Sequence, residues 1–336
     1  METRRLTVGK LRGLQQLANE RGVFTMLALD HRGSLRRALN PLAPAQVPYE
    51  TMVELKLLLT RILAPQASAV LLDPVYGAAQ AIGQGVLPGD TGLIVSLEAS
   101  GYEGEATARR TVLIPHWDVS KIKQMGASAV KLLLYYRPEA ATAAEQEALV
   151  ASVAESCRIH DIPFLLEPLS YSLDPAAPAG SQAFARELPL IVQGTARRLV
   201  PLGVEVLKAE FPADLRYDAP EVALSQVRRL TEAAEAPWVL LSAAADFALF
   251  REQVEIALRG GASGFLAGRA IWQEITRLPR EEWEEFASTV ASERWQALVA
   301  MANAEARPYR PTIPIPPDWL EVYGREAETI PAPLAD

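Results

Sequence analysis

Short apolar runs recur along the chain, each separated from the next by a segment long enough for a helix. Each run is continuous rather than alternating in polarity, which is typical of strands buried on both faces of a parallel sheet. The runs are FTMLALD (24–30), ASAVLLD (67–73), GLIVSLE (92–98), SAVKLLLYY (128–136), PFLLEPL (163–169), VEVLKAEF (204–211), WVLLSA (238–243) and GFLAGR (264–269). These eight units predict an α/β fold, a (β/α)8 TIM barrel.

The segments between and around these runs have helical periodicity. One extra helix is predicted over 7–20, where it would close the bottom of the barrel, and another over 280–303. Helices between the strands are predicted over 49–63, 119–125, 142–160, 181–200, 220–234, 246–259 and 270–276. We therefore expect one barrel domain over 1–306 and a Pro-rich tail over 307–336 that wraps the surface or an oligomer neighbour.

Two long loops follow predicted strands. The first, over 31–48, combines basic residues with proline, and long loops at this end of a barrel usually serve function. The second, YSLDPAAPAGSQ (171–182), is rich in Pro, Ala and Ser and fits either a mobile flap or a plain linker.

Charge and cysteine content restrict the partners and the compartment. A formal net charge of −8 argues against a nucleic acid, because phosphate backbones require clustered Lys and Arg. The single cysteine, Cys157, excludes an intramolecular disulfide and fits a reducing compartment. The N-terminus lacks the apolar core of a signal peptide and no run is long enough for a membrane span, so we expect a cytoplasmic protein.

Polar or charged side chains stand at or near the end of every predicted strand. In a barrel of this kind the reactive groups lie at the carboxyl ends of the strands. The end residues are Asp30, Asp73, Glu98, Lys131, Glu167, Lys208, Ser242 and Arg269. We expect the active site to form from this set.

Lys208 lies inside the apolar run VEVLKAEF, where an ammonium group must find a partner or lose its proton. Such a lysine is either structural and paired with a carboxylate, or an amine nucleophile with a lowered pKa. Lys131 lies inside the fourth run in the same way. Two amines in one barrel mouth disfavour each other's protonation, which favours a nucleophile, although Lys131 fits an ion-pair partner equally well.

Two glutamates accompany these lysines. Glu167 closes the apolar part of the fifth run and fits either an ion pair with a lysine or a proton shuttle beside a lysine nucleophile. Glu210 shares a strand face with Lys208, because side chains alternate along a strand, and we expect it to hold that amine in place. Lys208, Glu167 and Lys131 are the candidate catalytic residues.

The last two strands offer a site for a phosphate group. Ser242 and Ala243 end the seventh strand, and Gly268 and Arg269 end the eighth. Loops at this position bind phosphate through backbone N–H groups, a hydroxyl and an arginine, although Arg269 also fits an ordinary salt bridge. Gly268 would let the backbone approach an oxyanion closely.

The residues after the first two strands complete the predicted set. Asp30, His31 and Arg32 follow strand one and Asp73 follows strand two, and we expect all four to bind substrate. The chain has three histidines, and His160 belongs to the opposite face of the barrel. Because a divalent metal needs several His or carboxylate ligands on one face, we expect no metal and no other cofactor.

As a set, several strings resemble the class I tagatose-1,6-bisphosphate aldolases and the related sulfofructosephosphate aldolases. They are LALDHRGSLRR, ASAVLLDPVYG, AVKLLLYY, PFLLEPLSY, VLKAEFP, VLLSA and ASGFLAGRAIW. The resemblance implies Schiff-base chemistry in which Lys208 forms the iminium, Glu167 shuttles protons and Lys131 matches the family's strand-four lysine. Two positions depart from the family pattern, since His31 stands where glutamine is usual and Ala244 where glycine is common.

The resemblance further implies cleavage of a ketohexose 1,6-bisphosphate, first of all tagatose 1,6-bisphosphate, to dihydroxyacetone phosphate and glyceraldehyde 3-phosphate. One alternative is the same chemistry on sulfofructose phosphate, which gives dihydroxyacetone phosphate and sulfolactaldehyde. Another is a barrel that senses sugar phosphates without turnover, although a sensor has no need of Lys208 and Glu167 together. The expected partner is a small sugar phosphate; the oligomeric state stays open, and apolar positions in the last helix are compatible with a homo-oligomer.

Overall fold

In the computed structural model, which describes residues 6–243 and 245–322, eight parallel strands close into a barrel in sequence order. The strands are β1 (Phe24–Ala28), β2 (Ala69–Leu72), β3 (Gly92–Ser96), β4 (Ala129–Tyr135), β5 (Phe164–Leu169), β6 (Val206–Ala209), β7 (Trp238–Leu241) and β8 (Gly264–Ala267). Nearly all of their residues are buried, which explains why each run is apolar throughout. The predicted TIM barrel is confirmed.

Helices surround the barrel and connect its strands. They are α1 (Val8–Leu17), α2 (Gly33–Leu39), α3 (Tyr49–Leu63), α4 (Ala78–Gly83), α5 (Val119–Gln124), α6 (Ala143–Ile159), α7 (Gln182–Leu199), α8 (Pro220–Ala234), α9 (Phe247–Arg259), α10 (Arg269–Trp272), α11 (Trp283–Phe286), α12 (Ser292–Glu305) and α13 (Trp319–Val322). The helices α2 and α4, of 7 and 6 residues, are not among those predicted from the sequence. Among the described residues no helix has the length and apolarity to cross a membrane.

Two apolar cores divide the strand side chains between them. The inner core lies within the barrel and includes Val206, whereas Leu207 belongs to the outer core between strands and helices. Because side chains alternate along a strand, Lys208 shares the inward face with Val206. Leu14 and Leu17 of α1 join the inner core, so α1 closes the amino-terminal end of the barrel as predicted.

The last long helical segment is interrupted, contrary to the expectation of one helix over 280–303. A π-helical stretch, Ala287–Ala291, separates α11 from α12. Its buried residues Trp283, Ala287, Ala291 and Trp295 recur every four positions, a spacing longer than the 3.6 residues of an α-helical turn. The wider π turn keeps these four residues on one face toward the core, whereas Val290 in the same stretch is 37% exposed.

The first part of the Pro-rich tail crosses the amino-terminal end of the barrel. Arg307 N–H donates to the Ala262 carbonyl at 3.0 Å, and Tyr309 N–H donates to the Gly22 carbonyl at 2.8 Å. This arrangement favours the surface-wrapping interpretation for the start of the tail. The string PAPLAD (331–336) lies outside the described residues.

Candidate active site

A cavity of about 500 Å³ opens at the carboxyl ends of the strands. Its volume lies within the range of small-molecule sites. Most of the residues predicted from the strand ends line it, namely Asp30, His31, Arg32, Glu167, Lys208, Glu210, Ser242, Ala243 and Arg269. Lys131 lies directly beneath this lining and contacts three of its carboxylates.

Lys131, on β4, is fully buried and surrounded by carboxylates. Its Nζ lies 2.8 Å from Asp30 Oδ2, 2.7 Å from Glu98 Oε1 and 2.9 Å from Glu167 Oε2. Burial works against charge on this amine, but the three carboxylates outweigh it and raise the Lys131 pKa well above its ordinary value. Lys131 is therefore an ammonium ion at neutral pH, which makes it an ion-pair partner and a poor nucleophile.

The carboxyl groups around Lys131 differ in the direction in which their pKa values are shifted. Burial would raise the pKa of Asp30, but Lys131 and Lys208 outweigh it and lower that pKa well below the ordinary value. For Glu98 burial dominates and raises the pKa, although Lys131 opposes this. Glu98 also accepts the Leu133 N–H through Oε2 at 2.9 Å, so both of its oxygens are occupied.

Lys208, on β6, faces the cavity with a single carboxylate beside its amine. Its Nζ lies 2.7 Å from Glu167 Oε1. Glu167 therefore lies between the amines of Lys131 and Lys208 and attracts both. The sequence had led us to expect that the two amines would face and repel each other directly. Each oxygen of Glu167 thus faces one lysine, Oε1 toward Lys208 and Oε2 toward Lys131.

His31 lies half-buried at one wall of the cavity. Burial lowers its pKa to about 3, although Asp30 opposes the shift, so the imidazole is neutral at physiological pH. Its ring packs edge-on against Trp272 at 5.2 Å between centroids, and Nδ1 has no hydrogen-bond partner among the described residues. An unpaired buried nitrogen in a cavity wall is available to a polar ligand.

The ends of β7 and β8 carry hydrogen-bonding and cationic groups into the same cavity. Ala243 has a left-handed backbone with φ of 43°, which turns the chain sharply after Ser242. Arg269 is largely buried, its Nε has no described acceptor, and burial lowers its pKa. A buried guanidinium without an aligned acceptor favours an anionic ligand. Ala244 lies outside the described residues.

Comparison with known proteins identifies the family. Residues 24–274 match the model of the DeoC/LacD family aldolases. Tagatose 1,6-diphosphate aldolase 2 of Streptococcus agalactiae is 32% identical over 318 residues, which cover 89% of this chain and 94% of that protein. The chain belongs to the DeoC/LacD family of aldolases. Tagatose 1,6-diphosphate aldolase of Staphylococcus aureus is 31% identical over 312 residues, covering 88% and 93% of the two chains.

Solved aldolase structures share the fold of this DeoC/LacD family member. An archaeal fructose 1,6-bisphosphate aldolase superposes with a TM-score of 0.55 at 22% identity, over 85% of this chain and 99% of the other. Fructose-bisphosphate aldolase of Plasmodium falciparum superposes with a TM-score of 0.68 at 15% identity, over 88% and 94%. At these identities the likeness concerns the fold alone.

One residue of this aldolase site, Glu98, is among the strand-end residues expected to form the site, but the sequence assigns it no role in catalysis or binding. It stands at the end of the run GLIVSLE, so its position at a strand end was the available signal. Arg32 depends on it as well, because Arg32 Nη2 donates to the Glu98 carbonyl at 2.5 Å. Arg32 therefore lines the cavity as predicted, but part of its guanidinium is already committed to Glu98.

Gly268 serves a different purpose from the predicted one. A Cβ at this position would lie 2.8 Å from both the Ala28 carbonyl oxygen and His31 Cε1. The missing side chain thus makes room for His31 and for β1, and the Gly268 N–H points to Ser242 Oγ at 3.5 Å. Gly268 is not among the residues that line the cavity.

Glu210 lines the cavity but does not hold Lys208. Its Oε2 accepts the Ser170 N–H at 2.8 Å, whereas the Lys208 amine pairs with Glu167. Burial raises the pKa of Glu210 to about 7, and the Ser170 N–H opposes this only in part. Glu210 is therefore close to half protonated at neutral pH.

Asp73 is also not brought into the aldolase cavity. After β2 the chain turns, and Asp73 Oδ1 accepts the N–H groups of Val75 and Tyr76 at 2.9 and 2.8 Å. Its other oxygen forms an ion pair with the fully buried Lys56 of α3. The predicted substrate ligand is thus a buried counter-ion between the barrel and a helix.

We predict that Asp73→Asn lowers the free energy of unfolding by about 3–5 kcal/mol, because Lys56 is left buried without its counter-charge. The double variant Lys56→Met with Asp73→Asn removes both charges, keeps an oxygen that accepts the Val75 and Tyr76 N–H groups, and is expected to regain most of this stability with an unchanged KM. Urea denaturation and steady-state kinetics test the two expectations. If the double variant regains its stability but has a raised KM, Asp73 contributes to substrate binding and our interpretation is wrong.

A second prediction concerns Glu210 and pH. Its pKa is about 7 in the folded chain and about 4.3 when unfolded, so the folded state binds the extra proton between these values. Stability therefore falls as pH rises from about 4 to 7 and stays low above, and Glu210→Gln lacks this loss. Relative to wild type, the variant should gain on the order of 1–3 kcal/mol between pH 4.5 and 8 in urea denaturation. A stability difference that is constant across this range would contradict the shifted pKa.

Proposed function

We propose that this aldolase cleaves a ketohexose 1,6-bisphosphate, first of all tagatose 1,6-bisphosphate, through a Schiff base on Lys208. The proposal rests on the different surroundings of the two lysines. Lys131 is fixed as a cation by three carboxylates, whereas the Lys208 amine has one partner and faces the cavity. An amine nucleophile needs this freedom.

In the proposed reaction the Lys208 amine attacks the C2 carbonyl and forms a carbinolamine. Glu167, 2.7 Å from Nζ, accepts a proton from Lys208 before the attack and then gives that proton to the carbinolamine hydroxyl, which leaves as water. The resulting iminium withdraws electrons from the C3–C4 bond. That bond breaks as Glu167, again a carboxylate, accepts the proton of the C4 hydroxyl, and the aldehyde product, glyceraldehyde 3-phosphate, is released.

The other half of the substrate remains on the enzyme as an enamine. Protonation at C3 regenerates the iminium, and water then attacks C2 and releases dihydroxyacetone phosphate with the free Lys208 amine. Lys131 holds Glu167 in position from the opposite side, because its Nζ lies 2.9 Å from Oε2. The names of the relatives from Streptococcus agalactiae and Staphylococcus aureus support tagatose 1,6-bisphosphate as the first substrate to test.

Borohydride reduction tests the covalent step. Reduction in the presence of dihydroxyacetone phosphate is expected to attach the three-carbon phosphate to the peptide that contains Lys208 and not to that containing Lys131, as read by peptide mass spectrometry. Lys208→Met should abolish the adduct. A wild-type chain that remains unmodified, or an adduct on Lys131, would overturn the mechanism.

The role of Glu167 has its own test. Glu167→Gln keeps the size of the side chain but removes its proton-transfer capacity, so we expect kcat to fall by about 10²–10⁴-fold with a much smaller change in KM. Glu187→Gln, which removes an exposed carboxylate paired with Arg137 outside the cavity, is the matched control. Comparable kcat values for Glu167→Gln and wild type would remove the assigned role.

A further inference from the structure

One arginine at the cavity mouth is held by aromatic rings rather than by a carboxylate. The guanidinium carbon of Arg109 lies 4.5 Å from the ring centroid of Tyr102, 4.9 Å from that of Tyr171 and 5.7 Å from that of Tyr135. The rings come from the loop after β3, from the end of β4 and from the segment after β5. Contacts with π-faces hold a guanidinium in place without neutralising its charge.

The charge of Arg109 has no carboxylate partner among the described residues. Its Nε donates to the Ala106 carbonyl at 3.0 Å, and no described acceptor binds its terminal Nη groups. Its neighbour in sequence, Arg110, points away from the cavity and pairs with Glu145 at 2.8 Å. Arg109 therefore presents an uncompensated cation to the cavity that it lines, which is the electrostatic requirement for binding an anion.

The position of Arg109 in the barrel indicates which anionic group of a bound ketose phosphate it would contact. In a closed barrel of eight strands, β3 and β4 lie opposite β7 and β8, where Ser242 and Arg269 line the cavity. Lys208, on β6, is next to β7. A ketose whose C1 phosphate lies at β7 and β8 has its C2 carbonyl beside Lys208, and its chain then crosses the mouth toward β3 and β4.

We propose that Arg109, in its cage of Tyr102, Tyr135 and Tyr171, binds the terminal oxyanion at C6 of the ketose and selects substrates charged at both ends. The inference rests on the proposed function, since it assumes an open-chain ketose bound through C1 at β7 and β8. Phosphate and sulfonate share the tetrahedral oxyanion that a guanidinium recognises. The cage suits an entering chain end, because its floor, Tyr171, is 1% exposed while Tyr102 is 39% exposed.

The test compares kcat/KM for tagatose 1,6-bisphosphate and tagatose 1-phosphate, which differ only in the C6 anion. For Arg109→Gln we expect kcat/KM on the bisphosphate to fall on the order of 10- to 100-fold, the effect of losing a charge-assisted contact, and that on the 1-phosphate to stay within about twofold. Arg109→Lys should recover part of the loss, because it keeps the charge but not the planar fork. Arg110→Gln removes the same charge outside the cavity and is expected to behave as wild type.

Sulfofructose 1-phosphate serves as a third substrate and separates the two sources of the oxyanion. Its comparator is fructose 1,6-bisphosphate, which has the same configuration at C4 and differs only at C6. If the wild type cleaves sulfofructose 1-phosphate faster than fructose 1,6-bisphosphate and Arg109→Gln lowers that rate, the C6 group that Arg109 binds is a sulfonate; the reverse preference assigns a phosphate. A wild type that cleaves the 1-phosphate as well as the bisphosphate, or an Arg109→Gln variant that loses activity equally on both, overturns the inference.

Trapping with dihydroxyacetone phosphate distinguishes this failure from a failure of the proposed function. That ligand lacks the C6 end, so Arg109→Gln should form the borohydride adduct at Lys208 as readily as wild type, which also reports that the variant is folded. Absence of the adduct in wild type would defeat the Schiff-base mechanism itself. An intact adduct together with no selective loss on the bisphosphate would defeat only the assignment of Arg109.

Discussion

The buried ion cluster around Lys131 is the constraint on which the rest of the cavity depends. Carboxylates in a low-dielectric interior are tolerated only when a positive charge compensates them, and Lys131 does this for Asp30, Glu98 and Glu167. Glu98 and Glu167 come from β3 and β5, the direct neighbours of β4, but Asp30 follows β1, three strands away, and meets Lys131 only across the closed barrel. The same charges that form the site therefore also hold the carboxyl end of the barrel together.

The cluster also separates the chemistry of two identical side chains. Lys131 and Lys208 occupy equivalent inward positions on strands two apart, yet only Lys131 is enclosed by carboxylates. Glu167 is shared between them through its two oxygens. Environment, and not residue type, thus makes one lysine a fixed charge and leaves the other available for reaction.

Much of the fold and part of the site could be predicted from the sequence. The strands follow from continuous apolar runs, and α3 follows in full because its 15 residues show a clear period. The inward direction of Lys208 follows from strand alternation. The contacts of Asp73 and Glu210 could not be predicted. Asp73 pairs with Lys56 and Glu210 accepts the Ser170 N–H, and in both cases the partner lies in an element whose position relative to the first is not given by the sequence.

Arg109 shows the same limit more strongly. It lies in a loop without a hydrophobic period, and its three tyrosine contacts come from segments that follow or end the neighbouring strands β3, β4 and β5 and are far apart in sequence. Residues at the ends of strands can be predicted to line the cavity, because active sites in this fold form at the carboxyl ends of the strands. The same argument does not identify cavity residues that lie within a loop. Loop residues of this kind become visible only with coordinates.

The loop between β3 and α5 forms its own small set of backbone contacts. Antiparallel bridges join Glu98 with Leu113 and Glu103 with Arg110, so the segment between them is pinned at its base and does not pair with any barrel strand. Its tip can be shortened, recoded or exchanged for that of a homologue while the scaffold and the ion cluster beneath it keep their geometry. For protein engineering, this segment is where a library aimed at new acceptor aldehydes belongs.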